Sequence, residues 1–356
     1  MNSNAHKIYK ILFLLVAVFC LRCSTAKNNE GKQESNEMLA VLRDSINQNI
    51  YKDINAIFVY HHGEVFIEEY YNQTESEDLH DARSVGKSIA SAVLGIAIDE
   101  GYIQSLDQPL SDFYNLEDYK NYSIDKGKIT VKDLITMSSN FLGDDNDFDT
   151  PGNEEYMYDK ENWVKWALDL PVDSLRESGT SWHYFTAGVV ILGDIIDKNV
   201  PNGLEAYAHK KLFQPLGNTN YKWSYTPQDV PSTAGNFRTD AKGFADFGKL
   251  YLQEGAWEGK QIISKSWVER STKKWIETSF IPNYYGYLWW IRDYTVNSKK
   301  YHTAYCSGNG GNKIFTFKEL DAVVVINASA YSTSYGHKQA DEILTSFILP
   351  DIIDHQ

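Results

Sequence analysis

Residues 81–101 read Asp-Ala-Arg-Ser-Val-Gly-Lys-Ser-Ile-Ala-Ser-Ala-Val-Leu-Gly-Ile-Ala-Ile-Asp-Glu-Gly, and the rest of the chain is organised around them. From Val85 to Ile98 the residues are small or aliphatic on every side, and Lys87 is the only charged one. A helix of this composition has no polar face, so we expect it to run through the protein interior. The stretch therefore predicts a buried helix that begins next to Ser84.

Ser84 and Lys87 are placed to exchange a proton at the start of this helix. Three positions apart, they lie about 60° apart around the helix axis and about 4.5 Å apart along it, so their side chains reach the same space. The positive end of the helix dipole favours an alkoxide or oxyanion there, and burial disfavours the ammonium form of a lysine. The pair therefore predicts a nucleophile with its activating base.

The Ser-x-x-Lys spacing alone does not identify a site, because it occurs at three other places. These are Ser24–Lys27, Ser123–Lys126 and Ser271–Lys274. They fall in an N-terminal leader, in a polar stretch and next to a second lysine, whereas Ser84 opens an all-apolar helix. The alternative interpretation of Ser84 and Lys87 is a helix-capping serine beside a lysine whose stem lies along apolar surface.

The first 26 residues predict an export signal. Lys7 and Lys10 precede an apolar run at 11–20, and small residues follow at 24–26. Cys23 is an alternative lipidation site, which would make the mature protein a membrane-anchored lipoprotein. We therefore expect a periplasmic or secreted protein, with the polar residues 27–36 as a flexible linker.

Composition limits the classes of partner and cofactor. The chain has 356 residues, of which 42% are hydrophobic, so it is long enough to bury a large core. Removing residues 1–26 changes the formal net charge from -14 to -17, since three of 34 basic residues are lost and all 48 acidic ones remain. Nucleic acid is therefore not an expected partner. Cys306 is the one cysteine beyond the leader, which excludes an internal disulfide, and no zinc-type Cys and His pattern is present, so neither a metal nor an organic cofactor is expected.

Strand-like patterns occur near both ends of the chain, with helical patterns between them. Residues 54–60 and 64–71 are rich in β-forming residues and flank a turn at 61–63, which predicts a hairpin. Three more β-type runs follow Tyr284. The middle carries helical apolar stripes at 163–170, 186–198, 203–213 and 239–253. The acidic loop 144–149 has alternating aspartates but lacks the glycine and glutamate of a calcium loop, so a solvated loop is favoured.

These patterns predict an α+β fold in which one antiparallel sheet is built from both chain ends and flanked by helices. We expect a single catalytic domain at 37–350. Its α/β part would comprise about 37–104 and 284–350, and an α-rich lobe would be inserted at about 105–283.

Further motifs accompany Ser84-Val-Gly-Lys87 along the chain. They are Gly-Thr-Ser-Trp-His-Tyr-Phe-Thr-Ala-Gly at 179–188, Leu-Phe-Gln-Pro-Leu-Gly at 212–217, Asp-Phe-Gly-Lys-Leu at 246–250, Gly-Tyr-Leu-Trp-Trp at 286–290 and Ser-Gly-Asn-Gly-Gly-Asn at 307–312. From about residue 52 to 350 the sequence resembles the serine β-lactamase and penicillin-binding-protein superfamily. The resemblance is to its class C-like branch, which includes D-amino-peptide hydrolases, esterases and 6-aminohexanoate-dimer hydrolases.

The resemblance implies a β-lactamase/transpeptidase-like fold and a role for several residues. Ser84 would be the acylated nucleophile, Lys87 its proton partner and Tyr184 the tyrosine that transfers protons to the leaving group; a buried core tyrosine is the alternative. The backbone amides of Ser84 and Asn312 would form the oxyanion hole. The remaining residues implied to contact substrate are Thr186, Asn309, Gly310 and Gly311, although the last three could also form a plain glycine-rich turn.

Two departures from the family pattern affect the expected substrate. Thr186 stands where the family often has Asn, and Asn309 stands where Lys or His is usual, which predicts a pocket without a cation. We therefore expect an exported serine hydrolase that cleaves an uncharged ester or amide through an acyl-enzyme, of the esterase or D-amino-peptide and oligoamide type. The alternatives are a β-lactamase or D-Ala-D-Ala carboxypeptidase and, from another class, a non-catalytic binding protein on the same fold.

Overall fold

A computed structural model of the chain describes residues 37–280 and 282–356. The predicted leader, the linker and the lipidation site at Cys23 lie outside these residues. Within the described ranges, no helix has the length and apolar character needed to cross a membrane. These residues form two compact units, one of 37–51 with Glu342–Gln356 and the other of Lys52–Asp341. The larger unit contains the sheets and the candidate site.

The strands confirm the predicted antiparallel sheet. Eight of them form one sheet in the order β2-β1-β13-β12-β11-β10-β9-β8, with antiparallel pairing throughout. Its strands are β1 (Ile54–His61), β2 (Glu64–Tyr70), β8 (Ile276–Glu277), β9 (Tyr284–Tyr285), β10 (Trp290–Val296), β11 (Lys299–Gly308), β12 (Asn312–Phe317) and β13 (Ala322–Ala328). Two small sheets contain β3 (His80–Asp81), β4 (Tyr221–Lys222), β5 (Arg238–Thr239), β6 (Ala256–Trp257) and β7 (Lys260–Gln261).

Most helices lie between β3 and β9 in the chain. They are α1 (helical from 37 to 47), α2 (Val85–Asp99), α3 (Ile124–Lys128), α4 (Val131–Ile135), α5 (Trp163–Asp169), α6 (Thr186–Asn199), α7 (Gly203–Ala208), α8 (Ala241–Leu252), α9 (Lys265–Ser271), α10 (Gly336–Ile343) and α11 (Leu349–Asp354). Turns of π-helix at His209–Phe213 and Leu344–Ile348 continue α7 and α10. The predicted boundaries of the α/β part and the inserted lobe stay a prediction.

Helix α2 is buried, as its composition predicts. Every residue from Val85 to Ala97 is buried, and the helix packs against β11 and β12 and against α6. A Cβ atom at Gly95 would lie 2.4 Å from the Trp267 ring, so only glycine allows this close packing. The helix ends at Asp99, and Gly101, two residues further on, has a φ of +78° that suits a residue without a Cβ atom. The core thus holds α2 firmly, and with it the residues at its start.

The sequence analysis does not predict β11, although it has ten residues and lies between β10 and β12. Its first half begins with two lysines, and its second half consists largely of small buried residues, Ala304, Cys306 and Gly308 among them. The small residues have weak β propensity, but Tyr301, Thr303 and Tyr305 recur at every second position and are a strand signal that the sequence analysis does not use. This strand nevertheless borders the candidate site.

Candidate active site

Ser84 reaches the start of α2 through a sharp backbone turn. The preceding residue, Arg83, has a φ of +53°, which is uncommon for a residue with a side chain. The backbone N–H of Arg83 donates to Asp81 Oδ1 at 3.0 Å, and its carbonyl oxygen accepts from the N–H of Asn236 at 3.2 Å. These two hydrogen bonds hold the turn in the conformation that places Ser84 at the helix N-terminus.

Two glycines lie directly against this turn. A Cβ atom at Gly308, the last residue of β11, would lie 1.9 Å from the carbonyl oxygen of Ala82 and 3.2 Å from Ser84 N. A Cβ atom at Gly235 would lie 3.0 Å from the carbonyl oxygen of Arg83. The Ser84 backbone is therefore closely flanked by β11 and by the loop before β5. Gly235 and its neighbour Ala234 are site residues that the sequence analysis does not identify.

Lys87 is hydrogen-bonded to Ser84. Its Nζ donates to Ser84 Oγ at 2.8 Å and also to the carbonyl oxygen of Ala234, and the side chain is buried, with 1% of the residue exposed. Ser84 makes no side-chain capping bond to α2. The arrangement therefore differs from the helix cap that was the alternative interpretation of this pair.

Tyr184 lies beside this pair. Lys87 Nζ is 5.3 Å from the centre of the Tyr184 ring, which stacks on Trp290 with a centroid distance of 6.0 Å. Burial raises the pKa of Tyr184, while the charge of Lys87 and a hydrogen bond with Ser84 act in the opposite direction. The structure thus brings together Ser84, Lys87 and Tyr184, with the phenol in its protonated form near neutral pH.

Ser84 and Tyr184 line a cavity of about 490 Å³, which is within the usual size range for a small-molecule site. Asn309, which the resemblance implies to contact substrate, also lines it. The cavity wall further includes charged and titratable side chains that the sequence analysis does not place there: Asp145, Glu154, Lys313, His337 and Asp341.

Thr186 does not lie on the cavity wall formed by the described residues. It is fully buried as the first residue of α6, and its backbone N–H donates to Asp145 Oδ2 at 2.8 Å. The carboxylate of Asp145 thus accepts from a free amide at the positive end of α6. The structure makes Thr186 a support for Asp145, in contrast to the substrate contact expected of it.

Asn312, Gly310 and Gly311 are likewise absent from the cavity wall described here. Asn312 is fully buried, and its Nδ2 donates to the carbonyl oxygens of Asn309 and Ala328 at 2.8 and 2.9 Å. Because Asn312 pairs with Gly308, the chain between them turns away from Ser84, and the two glycines pack near Tyr331 and Gly336. Gly310 and Gly311, which the resemblance implies to contact substrate, therefore belong to the connection between β11 and β12.

The expectation that the pocket contains no cation is wrong. Lys313 lines the cavity, is 6% exposed, and donates from Nζ to Ser307 Oγ at 2.7 Å. Its strand, β12, pairs with β11 so that Lys313 stands opposite Ser307. Lys313 thus enters the cavity from β12. The sequence analysis does not place it there, because it does not identify β11, the strand with which β12 pairs.

The acidic loop is only partly solvated. Asp147 and Asp149 are exposed, but Asp145 lines the cavity and accepts from the backbone N–H groups of Glu154 and Thr186 at 2.9 and 2.8 Å. Burial raises the pKa of Asp145 to about 7, and the charge of Glu154 acts in the same direction. Among the described residues, no group of three or more His, Cys, Asp or Glu side chains is arranged to hold a metal ion.

A buried lysine that hydrogen-bonds a serine hydroxyl, with a phenol beside it, is placed so that a proton can pass between the amine and the hydroxyl. The family comparison agrees with the fold. The family model named Beta-lactamase matches residues 54–344, and the chain belongs to that family. No curated protein matches the sequence.

Solved structures show the same fold at low sequence identity. A candidate 6-aminohexanoate-dimer hydrolase from Bacillus anthracis is 16% identical over 87% of this chain and 82% of its own, with a TM-score of 0.69. An octameric penicillin-binding protein homologue from Pyrococcus abyssi is 19% identical over 89% and 77%, with a TM-score of 0.66. A D-stereospecific amidohydrolase from Streptomyces sp. is 17% identical over 86% and 98%, with a TM-score of 0.64. The β-lactamase/transpeptidase-like fold predicted by the resemblance is confirmed.

Proposed function

We propose that this serine hydrolase cleaves an ester or amide through an acyl-enzyme formed on Ser84. The observation that supports it best is the hydrogen bond from the buried Lys87 Nζ to Ser84 Oγ at 2.8 Å. In its amine form Lys87 accepts the hydroxyl proton while Ser84 Oγ attacks the substrate carbonyl carbon. The tetrahedral intermediate then collapses, the bond to the leaving group breaks, and Ser84 retains the acyl group.

Tyr184 is proposed to transfer protons to and from the leaving group and water. Its raised pKa keeps the phenol protonated near neutral pH, so it can donate to a departing alkoxide or amine. The proton that Lys87 took from Ser84 restores the phenol. Water then attacks the acyl carbon and gives up a proton to the same pair. The bond between the acyl carbon and Ser84 Oγ breaks, the pair returns the proton to Oγ, and the acid leaves.

The oxyanion is proposed to bind two backbone amides. One is the N–H of Ser84 at the N-terminus of α2, where the helix dipole also favours negative charge. For the second donor we propose Asn309 in place of Asn312, because Asn309 lines the cavity and directly follows Gly308, which lies against the Ser84 backbone.

The substrate is proposed to be a small ester or amide. Structural relatives include a family VIII carboxylesterase and a D-stereospecific amidohydrolase, whose names cover both bond types. The cavity volume of about 490 Å³ suits a small acyl group.

Intact-mass analysis tests the proposal. The protein is exposed to a fluorophosphonate, a penicillin and a panel of p-nitrophenyl esters. We expect a single adduct on Ser84 that disappears in Ser84→Ala and persists in the matched variant Ser123→Ala. An adduct on another residue, or none with any probe, would contradict the proposal.

Export is a separate proposal that depends on the leader sequence. Lys7, Lys10, the apolar run at 11–20 and Cys23 support it. Mass analysis of the mature N-terminus from a host that secretes the protein distinguishes a free chain beginning after Ala26 from one lipidated at Cys23. Recovery of the full-length chain in the cytoplasm would contradict both.

A further inference from the structure

One wall of the cavity is aromatic, and the proposed reaction uses only one of its three rings. We call the side chains of Tyr184, Phe280 and Trp290 the aromatic wall, since all three line the cavity. Phe280 is 46% exposed and Trp290 is half-buried, so both rings present apolar surface to the open space of the cavity. Small-molecule sites are lined largely by such side chains, and covering apolar surface with a ligand is favourable.

The sheet holds the Trp290 ring in one place. Tyr285 of β9 and Tyr305 of β11 stand directly opposite Trp290 on its two neighbouring strands. Their ring centres lie 5.1 Å and 6.3 Å from that of Trp290, and the buried Trp182 adds a contact at 5.5 Å. Because these neighbours restrict the orientation of the Trp290 ring, the surface that it presents to the cavity is formed before any ligand binds.

Phe280 extends the aromatic wall outward from Trp290. Its ring centre lies 6.2 Å from that of Trp290 and 6.0 Å from that of Trp182, and the rings of Phe280 and Trp182 meet at an angle of 77°. Phe280 is more exposed than Trp290, which places it nearer the mouth of the cavity. The aromatic wall therefore runs from Tyr184 through Trp290 to Phe280.

The position of Tyr184 assigns the aromatic wall to one side of the scissile bond. The rings of Tyr184 and Trp290 are stacked, with an interplanar angle of 23° and a centroid distance of 6.0 Å. In the proposed reaction the Tyr184 hydroxyl donates a proton to the leaving atom, so this atom lies next to Tyr184 when the bond breaks. The rest of the departing alcohol or amine then lies along Trp290 and Phe280.

We infer that Trp290 and Phe280 form a leaving-group subsite for an aromatic ring, so that the preferred substrates are esters of aryl-substituted alcohols or amides of aryl-substituted amines. This inference rests on the proposed acyl-enzyme function. A flat ring makes offset-stacked or edge-to-face contacts with both side chains, in addition to the apolar area that it buries. A saturated ring buries a similar area without these contacts, so the subsite should distinguish the two.

The test compares esters that differ only in the saturation of one ring. The first pair is 2-phenylethyl butyrate and 2-cyclohexylethyl butyrate, which carry the ring on the leaving group. The second pair is ethyl 3-phenylpropanoate and ethyl 3-cyclohexylpropanoate, which carry it on the acyl group. Titration of the released acid at constant pH gives kcat/KM for each ester. We expect the parent to prefer the phenyl ester in the first pair and to show no such preference in the second.

Truncation of the exposed ring then tests the residue. In Phe280→Ala we expect kcat/KM for 2-phenylethyl butyrate to fall roughly 3- to 10-fold, the size expected for the loss of one aromatic contact, and to change less than about 2-fold for ethyl butyrate. Phe280→Tyr keeps the ring and should keep the preference. Phe148→Ala is the matched control, because Phe148 is 65% exposed and does not line the cavity described here.

Two kinetic results would overturn the inference. One is a parent that does not favour the phenyl ester in the first pair, or that favours it only in the second. The other is a Phe280→Ala variant in which 2-phenylethyl butyrate and ethyl butyrate lose activity equally or not at all. Circular dichroism of each variant confirms folding, which truncation of a half-exposed side chain leaves intact.

A binding measurement separates this inference from the proposed function. In a ligand-observed NMR titration, 2-phenylethyl butyrate should bind Ser84→Ala, lose affinity at least about 3-fold in Ser84→Ala/Phe280→Ala, and keep it in Ser84→Ala/Phe148→Ala. Equal affinity in all three variants would sink the subsite even if Ser84 forms its adduct. Phe280-dependent binding without any adduct on Ser84 in the parent would instead refute the acyl-enzyme alone.

Discussion

Two Ser-x-x-Lys segments of this protein have the same spacing and a buried lysine, yet their side chains are used differently. In Ser84–Lys87 the lysine Nζ donates to the serine hydroxyl at 2.8 Å. In Ser123–Lys126 the Nζ donates to the carbonyl oxygens of Lys120 and Leu168, at 2.8 and 3.0 Å, while Ser123 Oγ accepts from the backbone N–H of Lys126. Only the first pair connects the amine to the hydroxyl.

The backbone of the serine explains the difference. Ser123 is extended, with φ -153° and ψ 157°, which lets its side chain turn back and cap α3. Ser84 is already helical, with φ -62° and ψ -3°, so its hydroxyl points away from the first turn and towards Lys87. The left-handed turn at Arg83 makes this possible. Local backbone conformation, which spacing does not show, decides in which pair the amine reaches the hydroxyl.

Burial of the lysine does not distinguish the pairs. Burial lowers the pKa of Lys126 to about 8, yet its amine is occupied by two carbonyl groups and no serine hydroxyl bonds it. A lowered pKa is therefore compatible with a purely structural role, and geometry has to accompany it before a residue is assigned to catalysis.

The largest expected effect is the difference in turnover between variants of the two lysines, Lys87 and Lys126. Lys87→Met should lose as much turnover as Ser84→Ala, on the order of 10⁴-fold or more, because the two groups act as a unit. Lys126→Met should keep turnover within a few-fold, since its amine bonds the carbonyl oxygens of Lys120 and Leu168 and no serine hydroxyl. Steady-state kinetics on one p-nitrophenyl ester measures both, with circular dichroism as the folding control. Equal losses in the two variants would remove the distinction between the segments.

The next effect concerns the phenol of Tyr184, which lies beside Lys87 of the first segment. Tyr184→Phe should fold normally and lose about 10²- to 10⁴-fold in kcat, because general acid-base catalysis is worth that much. Tyr285→Phe is the matched control, since Tyr285 is a buried tyrosine in the same aromatic cluster around Trp182 and Trp290. Retained activity in Tyr184→Phe would make Tyr184 a packing residue.

A third effect comes from the glycines beside each pair. Gly308→Ala should reduce the free energy of unfolding by about 1 to 3 kcal/mol and lower activity, because the added methyl group would displace the Ala82 carbonyl and the Ser84 backbone. Gly127→Ala, in α3, meets only ordinary contacts at 3.7 Å and should be neutral or stabilise by up to about 1 kcal/mol. Denaturant unfolding and activity assays of both variants check this pair. If Gly308→Ala changed neither stability nor activity, β11 would not be in close contact with the turn at Ala82 and Ser84.

The sequence suffices for the parts of the site that are local. The apolar composition of 85–98 predicts α2, and helical spacing brings Lys87 to Ser84. Tyr184 follows from its motif. Contacts that depend on strand register or loop path are not predictable in this way, which is why Lys313, Asp145 and Gly235 are missed. Strand β11 has a period-two signal in Tyr301, Thr303 and Tyr305 that the sequence analysis does not use, so the partner that it brings to the cavity is missed as well.

The smallest expected effect is the difference in the free energy of unfolding between Ser123→Ala and Ser84→Ala. Ser123→Ala removes an N-cap that accepts from Lys126 N–H at 3.1 Å, so it should lower the free energy of unfolding by about 1 kcal/mol and leave turnover unchanged. Ser84→Ala removes no cap, because the Ser84 hydroxyl bonds the Lys87 side chain and no backbone N–H of the first turn of α2, and it should change stability less while abolishing turnover. Urea melts of both variants and of the parent under identical conditions give the two differences. If Ser84→Ala proves the more destabilising of the two, the Ser84 hydroxyl contributes to the start of α2 after all, and the contrast between a capping serine and a nucleophilic serine no longer holds.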